Sequence, residues 1–213
     1  MELQVWLAYF LASWAIALSP GSGAVLSMTH GLAYGVQKTS ATIAGLQLGL
    51  AVILLVAGVG VGALLLASAT AFTVVKFAGA GYLIWLGLKQ WRSSVSTTMA
   101  TSEAASAQSR LPCVRERFIT GFFTNVTNPK GIVFMVAVLP QFIDPQRSLW
   151  LQLLVLLFTT IGVDLVVMHG YAFLASRAQR WLATARARRA QNRVFGGVLM
   201  AMGASLLLVK RAV

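Results

Sequence analysis

Six long stretches of this chain are almost free of charge, and most ionisable side chains fall between them. They cover residues 3–29, 40–67, 71–91, 118–142, 149–174 and 194–211. Each has about the length a helix needs to cross the hydrocarbon core of a bilayer, roughly 20 mainly apolar residues. Lipid supplies no partner for free N–H and C=O groups, so runs of this kind predict helices. Of the 213 residues, 58% are hydrophobic and 10% are charged, against roughly a quarter charged in a soluble domain. Too little polar surface exists to cover such a chain in water. The expected fold is an all-α integral membrane protein of six transmembrane helices.

The opening Met1-Glu2-Leu3-Gln4-Val5-Trp6 has no positive n-region, and no small-residue cleavage site follows. It reads as a retained first helix and not as a signal peptide. The net charge of +12 sits in the loops, which makes it a topology signal and argues against a nucleic-acid partner. If all six stretches cross, Lys38 lies in the first loop, and Lys89, Arg92, Arg110, Arg115 and Arg117 lie in or beside the third. Arg177, Arg180, Arg186, Arg188, Arg189 and Arg193 fall in the fifth. That places twelve basic residues on one side against three on the other (Arg147, Lys210 and Arg211), or four with Lys76. The basic side is expected to face the cytoplasm and both termini the periplasm of a bacterial inner membrane. The fifth-loop arginines read as a solvated charge run beside lipid headgroups. The Ser/Thr/Ala-rich stretch 93–107 reads as a flexible cytoplasmic connection. Lys76, at the start of the third helix, is expected to snorkel to the surface. Cys113 is the sole cysteine, so no disulfide or thiolate cluster can form. It reads as an idle thiol at a helix entrance, and no metal or cofactor is expected.

Residues 1–91 and 118–213 each hold three of the stretches, joined by the loop 92–117. In each half the first stretch is interrupted, at Ser19-Pro20-Gly21 and at Asn128-Pro129-Lys130. A shift of 109 residues lays Ser19-Pro20 on Asn128-Pro129. With three spans per half, the halves would enter from opposite sides, giving a 3+3 inverted repeat with Pro-broken first and fourth helices. Matched Pro/Gly breaks in two halves are the sequence mark of a transporter's binding site. Small-residue faces at Gly45/Gly49, Gly58/Gly62, Gly81/Gly87 and Gly197/Gly203 predict close helix packing.

A proline inside a helix removes one donor and frees the carbonyl four residues earlier. Pro20 is expected to free Ile16, and Pro129 to free Asn125. Such carbonyls belong on protein or on a wet cavity. Ser19, Gly21, Ser22, Gly23, Asn125, Thr127, Asn128 and Lys130 cluster around the breaks. The half-helix after Pro20 would aim N–H groups and a positive dipole end at a carboxylate. Lys130 and Asp164 lie near mid-span, where a charge facing lipid costs roughly 2.5–3.5 kcal/mol. A buried ion pair that only fixes packing is one reading of them. The preferred reading is a site: Lys130 holds a carboxylate, and Asp164 an ammonium or a proton. Thr160, Asp164 and Tyr171 share one helical face, and Gln47 is a further polar contact. His169 lies off that face and reads as a satisfied core residue.

The motifs Ser19-Pro20-Gly21-Ser22-Gly23, Ala44-Gly45-Leu46-Gln47, Lys76 to Gly87, Thr124 to Lys130 and Leu139-Pro140-Gln141-Phe142 stand in order and spacing. In these the chain resembles the lysine exporter superfamily, and within it the homoserine/threonine resistance (RhtB) branch. The resemblance covers nearly the whole chain and fades in 93–112. It implies secondary-active export of small neutral amino acids such as homoserine, homoserine lactone and threonine, with protons as the counter-substrate. It also implies that Ser19, Pro20, Gly21, Asn125, Asn128, Pro129, Lys130 and Asp164 match characteristic intramembrane positions. Ser22-Gly23 stands where many members have Pro-Asn, which leaves the preferred side chain open. A homo-oligomer is compatible with this reading. Two rival classes remain at this stage: an intramembrane hydrolase using Ser19 or Ser22 with His169, and an uncoupled channel. No phosphate-binding loop suggests an ATPase.

Overall fold

The computed structural model describes residues 1–67, 69–92 and 112–177, and the separate positions 193, 197, 200, 201 and 204. Apart from positions 197, 200, 201 and 204, the expected sixth span lies outside the described residues, as do the loop 93–111, the basic run Arg180 to Arg189 and the Lys76 side chain. Within them the protein is all helical. The helices are α1 (Leu3–Leu18), α2 (Ser22–Tyr34), α3 (Val36–Ala67), α4 (Ala69–Arg92), α5 (Val114–Val126), α6 (Pro129–Val138) and α7 (Leu149–Arg177). A 3₁₀ turn, Leu139–Phe142, extends α6.

Val36–Gly60 and Leu149–Arg177 are each long and apolar enough to cross a membrane. Two further pairs of helices are long and apolar enough only when each bent pair is taken as one span. α1 and α2 meet at a bend of 55°, and α5 and the α6 unit at 50°. Both interruptions expected from the prolines are therefore true breaks into half-helices. Pro20 lies in the non-helical link between α1 and α2, and Pro129 opens α6 at its first position, where a missing N–H costs nothing. The long first run reaches Tyr34, and α3 begins at Val36, some residues before the expected boundary. Between them stands Gly35 with φ 77°, a backbone conformation that glycine enters freely.

Specific contacts give the helix directions. α1 and α7 run the same way: Trp6 Nε1 donates to Thr159 at 3.0 Å, the Tyr9 and Thr160 hydroxyls meet at 2.6 Å, and Tyr171 donates to the Leu18 carbonyl at 2.6 Å. α3 opposes α7, pairing Ser40 with His169 and Gln47 with Asp164, and setting Gly58 against Leu153. α3 and α5 run together, with Asn125 Nδ2 donating to the Leu46 carbonyl at 2.6 Å. Each broken helix thus packs on the long helix of the opposite half.

The α3–α5 crossing is the tightest described. A Cβ on Gly45 would fall on the Phe118 carbonyl, and one on Gly121 on the Thr42 carbonyl. The backbones touch, as the small-residue face at Gly45/Gly49 predicts. The other small-residue faces behave differently. Gly58 meets the Leu153 side chain, Gly197 meets the Trp91 ring, and nothing stands within 4 Å of the position a Cβ on Gly81 would take. Gly62, Gly87 and Gly203 lie outside the described side chains.

Two expectations about single residues are corrected. Arg117, placed in or beside the third loop, belongs to α5, is buried at 5% exposure and donates to the Lys38 carbonyl, tying α5 to the start of α3. Cys113 is not idle: its Sγ accepts the Glu116 N–H while Glu116 Oε2 accepts the Cys113 N–H at 2.7 Å, a reciprocal cap on α5.

Candidate functional site

The two breaks meet at a partly open cavity of about 50 Å³, room for about three to five waters. Ser19 and Gly21 reach it from the first break, Asn125, Asn128 and Lys130 from the second, and Asp164 from α7. Six of the expected site residues therefore share one cavity. The other four do not line it. Pro20 and Pro129 shape the links, the Ser22 hydroxyl turns to the Thr124 carbonyl at 3.5 Å, and Gln47 stands behind Asp164.

The end of α1 explains how a broken helix survives in lipid. The last carbonyls of a helix lack intrahelical donors. Here side chains of the other half supply them: Lys130 Nζ donates to Ile16 at 3.1 Å and to Ser19 at 2.5 Å, and Tyr171 donates to Leu18. The cation also meets the negative end of the α1 dipole. Pro20 denies the Ile16 carbonyl its helical donor, and the Ser19 N–H at 3.2 Å and Lys130 together replace it. At the second break the Asn125 carbonyl likewise accepts the N–H three residues on, that of Asn128 at 2.9 Å.

The starts of the two inner half-helices differ. α6 is capped by its own Asn128, whose Oδ1 accepts the Lys130 N–H at 3.2 Å. α2 has Gly21 at its cap position and no side chain capping it. Its first N–H groups stay open beside the Lys130 ammonium: a Cβ on Gly21 would stand 3.1 Å from Nζ. An ammonium has three donors, and two of those on Lys130 are used by carbonyls.

Asp164 is half-buried, and Gln47 Nε2 donates to its Oδ2 at 2.7 Å. Gln47 Oε1 is buried and unbonded among the described residues. Lys130 and Asp164 face the same cavity without forming an ion pair; the described ion pairs are Arg147–Glu2 and Arg147–Asp144, both exposed. The packing-only ion pair is thereby set aside. Among the described residues no group of His, Cys, Asp and Glu could hold a metal. His169 is satisfied by the Leu165 carbonyl and Ser40, and neither bond involves Ser22. A hydrolase pair is not assembled.

Sequence reasoning passed over two groups. Ser13 lines the cavity, and His30 is held by Thr42 at 2.7 Å. Ser13 follows Tyr9 by four residues and so shares its helical face, the only trace it leaves in the sequence.

A family model described as LysE type translocator matches residues 14–210. The chain is 43% identical over 212 residues to the homoserine/homoserine lactone efflux protein of Salmonella typhi, covering both chains fully. It is 42% identical over 210 residues to an uncharacterized membrane protein of Vibrio cholerae serotype O1, covering 99% of this chain and 100% of that one. A leucine efflux protein of Enterobacter sp. (strain 638) is 29% identical over 184 residues, 85% of this chain and 84% of the relative. No solved structure matches the chain.

Proposed function

The chain belongs to the LysE type translocator family, and from that premise we propose that it exports homoserine, homoserine lactone and, more weakly, threonine across the bacterial inner membrane by proton antiport. Family membership makes it an amino-acid efflux transporter of the membrane and not an enzyme. The observation that carries the finer reading is the pair Lys130 and Asp164, which face one cavity with no ion pair between them.

A zwitterion such as homoserine fits this charge pattern at both ends, and the lactone, which lacks a carboxylate, at its ammonium. The zwitterion's carboxylate would take the remaining Lys130 donor and the open N–H groups of α2, and its ammonium would face Asp164. An empty site must then offer Asp164 another cation, and a proton serves. Gln47 suits both states. Its amide donates to the carboxylate, and after rotation its free Oε1 would accept from the protonated acid. Transport proceeds in a six-span bundle whose halves, 1–91 and 118–213, form an inverted repeat about the loop 92–117. The parallel packing of α1 with α7 and of α3 with α5 supports that arrangement. With the basic ends of α3, α5 and α7 in the cytoplasm, the termini face the periplasm.

A bulky apolar side chain would leave cavity polar groups unpaired, at roughly 1–3 kcal/mol each, and lysine would add a second cation beside Lys130. Overexpression should raise tolerance to homoserine or its lactone most, to threonine next, and to lysine or leucine least. Everted vesicles should accumulate homoserine when a pH gradient is imposed and lose that accumulation with an uncoupler. Equal handling of lysine, or accumulation untouched by the uncoupler, contradicts the reading.

A further inference from the structure

Tyr9 and Ser13 stand one turn apart on α1, and Thr160 and Asp164 one turn apart on α7. The four face each other across the α1–α7 contact. Ser13 and Thr160 line the cavity with Asp164, though they are 1% and 4% exposed. Hydroxyl groups placed this deep in an apolar bundle require partners, and their bonds show which polarity they offer.

The Ser13 hydroxyl donates to the Tyr9 carbonyl at 2.8 Å, and the Thr160 hydroxyl donates to the Leu156 carbonyl at 2.8 Å. Each proton is thereby committed to its own helix. At the 2.6 Å contact between Tyr9 and Thr160 the phenol must then be the donor. A hydroxyl oxygen has two lone pairs. Thr160 keeps one, and Ser13 keeps at least one beside its contact with the Tyr9 phenol. In this arrangement the wall beside Asp164 presents acceptors and no donor.

We propose that Ser13 and Thr160 form a subsite that accepts a hydrogen bond from the side-chain hydroxyl of the substrate. The inference rests on the amino-acid export reading and deepens it: Lys130 and α2 take the carboxylate, Asp164 the ammonium, and Ser13–Thr160 the hydroxyl. An apolar isostere placed there leaves both oxygens facing a methyl group. Rejection of such an isostere comes from the site's own unpaired groups. Tyr9 acts as a positioning residue that orients the free lone pair of Thr160.

Homoserine and norvaline test this, since norvaline carries a methyl group where homoserine carries its hydroxyl. Uptake of each is measured in everted vesicles of the wild type, Ser13→Ala and Thr160→Val, at matched protein levels. The wild type should favour homoserine, and each variant should lower the homoserine-to-norvaline ratio roughly tenfold. Homoserine and norvaline falling together in both variants would assign the hydroxyls to packing or to the ammonium and overturn the subsite. An unchanged ratio would overturn it equally. A wild type that carries no homoserine would remove the export reading itself, which separates the two failures.

Discussion

Lys130 Nζ lies 3.1 Å from the carbonyl of Ile16, the residue four places before Pro20 and hence the one whose helical donor the proline ring displaces. A cation from the second half thus completes a helix of the first. The same cation stands beside the open start of α2, so one side chain serves the stability of the break and the charge of the cavity.

Replacing it should affect both. Lys130→Ala removes the ammonium from the Ile16 and Ser19 carbonyls, and Asp164→Asn removes the facing charge. Each is expected to lower homoserine export by at least roughly tenfold, as loss of a hydrogen bond to a charged group does, while immunoblots still detect protein in the membrane. Full export by both variants would remove the proposed site. Asp164→Asn that exchanges substrate but no longer accumulates it on a pH gradient would identify Asp164 as the proton carrier.

Gln47 is the hydrogen-bond partner of Asp164 among the described residues, at 2.7 Å. Gln47→Leu keeps the volume and removes that bond. Export should fall roughly tenfold, and Gln47→Glu should fall further, because it sets a second carboxylate against the first. Vesicle uptake under a fixed pH gradient checks both. Export by Gln47→Glu at the wild-type rate would show that the amide does not hold Asp164.

The α3–α5 crossing predicts where bulk is intolerable. Gly45→Leu and Gly121→Leu drive side chains into the carbonyls of Phe118 and Thr42. Both should sharply reduce the folded fraction recovered in detergent, read by fluorescence-detected size exclusion. Gly162→Ala meets nothing within 4 Å and sits inside α7. It should keep or raise thermal stability, since helical glycine is disfavoured against alanine by roughly 0.5–1 kcal/mol. Wild-type behaviour of Gly45→Leu would refute the backbone contact.

The clustering of Lys38, Arg115, Arg117 and Arg177 at the starts of α3 and α5 and the end of α7 predicts topology. Reporters inserted within 93–112 should read as cytoplasmic, and reporters fused after Val213 as periplasmic. A cytoplasmic C-terminus would remove the six-span arrangement and the inverted repeat together.

Much of this was legible in the residues because lipid enforces simple rules. Apolar length marked the helices, and the two prolines marked the breaks. The cost of buried charge marked Lys130 and Asp164 as facing inward. What escaped was pairing across long separations. Nothing local shows that Gln47 reaches Asp164, or that Lys130 answers Ile16 rather than Asp164. Arg117 read only as a basic residue in or beside a loop, because its partner is a backbone carbonyl, which has no signature in the sequence. Ser13 looked like filler in an apolar helix, since a small hydroxyl gains meaning only from the cavity it borders.

Helices separated by large side chains can shift past one another as rotamers rearrange, but α3 and α5 have no such padding between them. The same holds where Gly31 of α2 meets the backbone of Ala172. The bundle is thus divided into two stiff couples, α3 with α5 and α2 with α7, each joining one member of either half. Neither couple can lengthen or slide without separating backbones in contact. Any exchange of the cavity from one face of the membrane to the other must rotate these couples as bodies and spend its angular change at 19–21 and 127–128. The two links act as pivots, and a cation held by the last carbonyls of α1, against the first pivot, is placed to set when it turns.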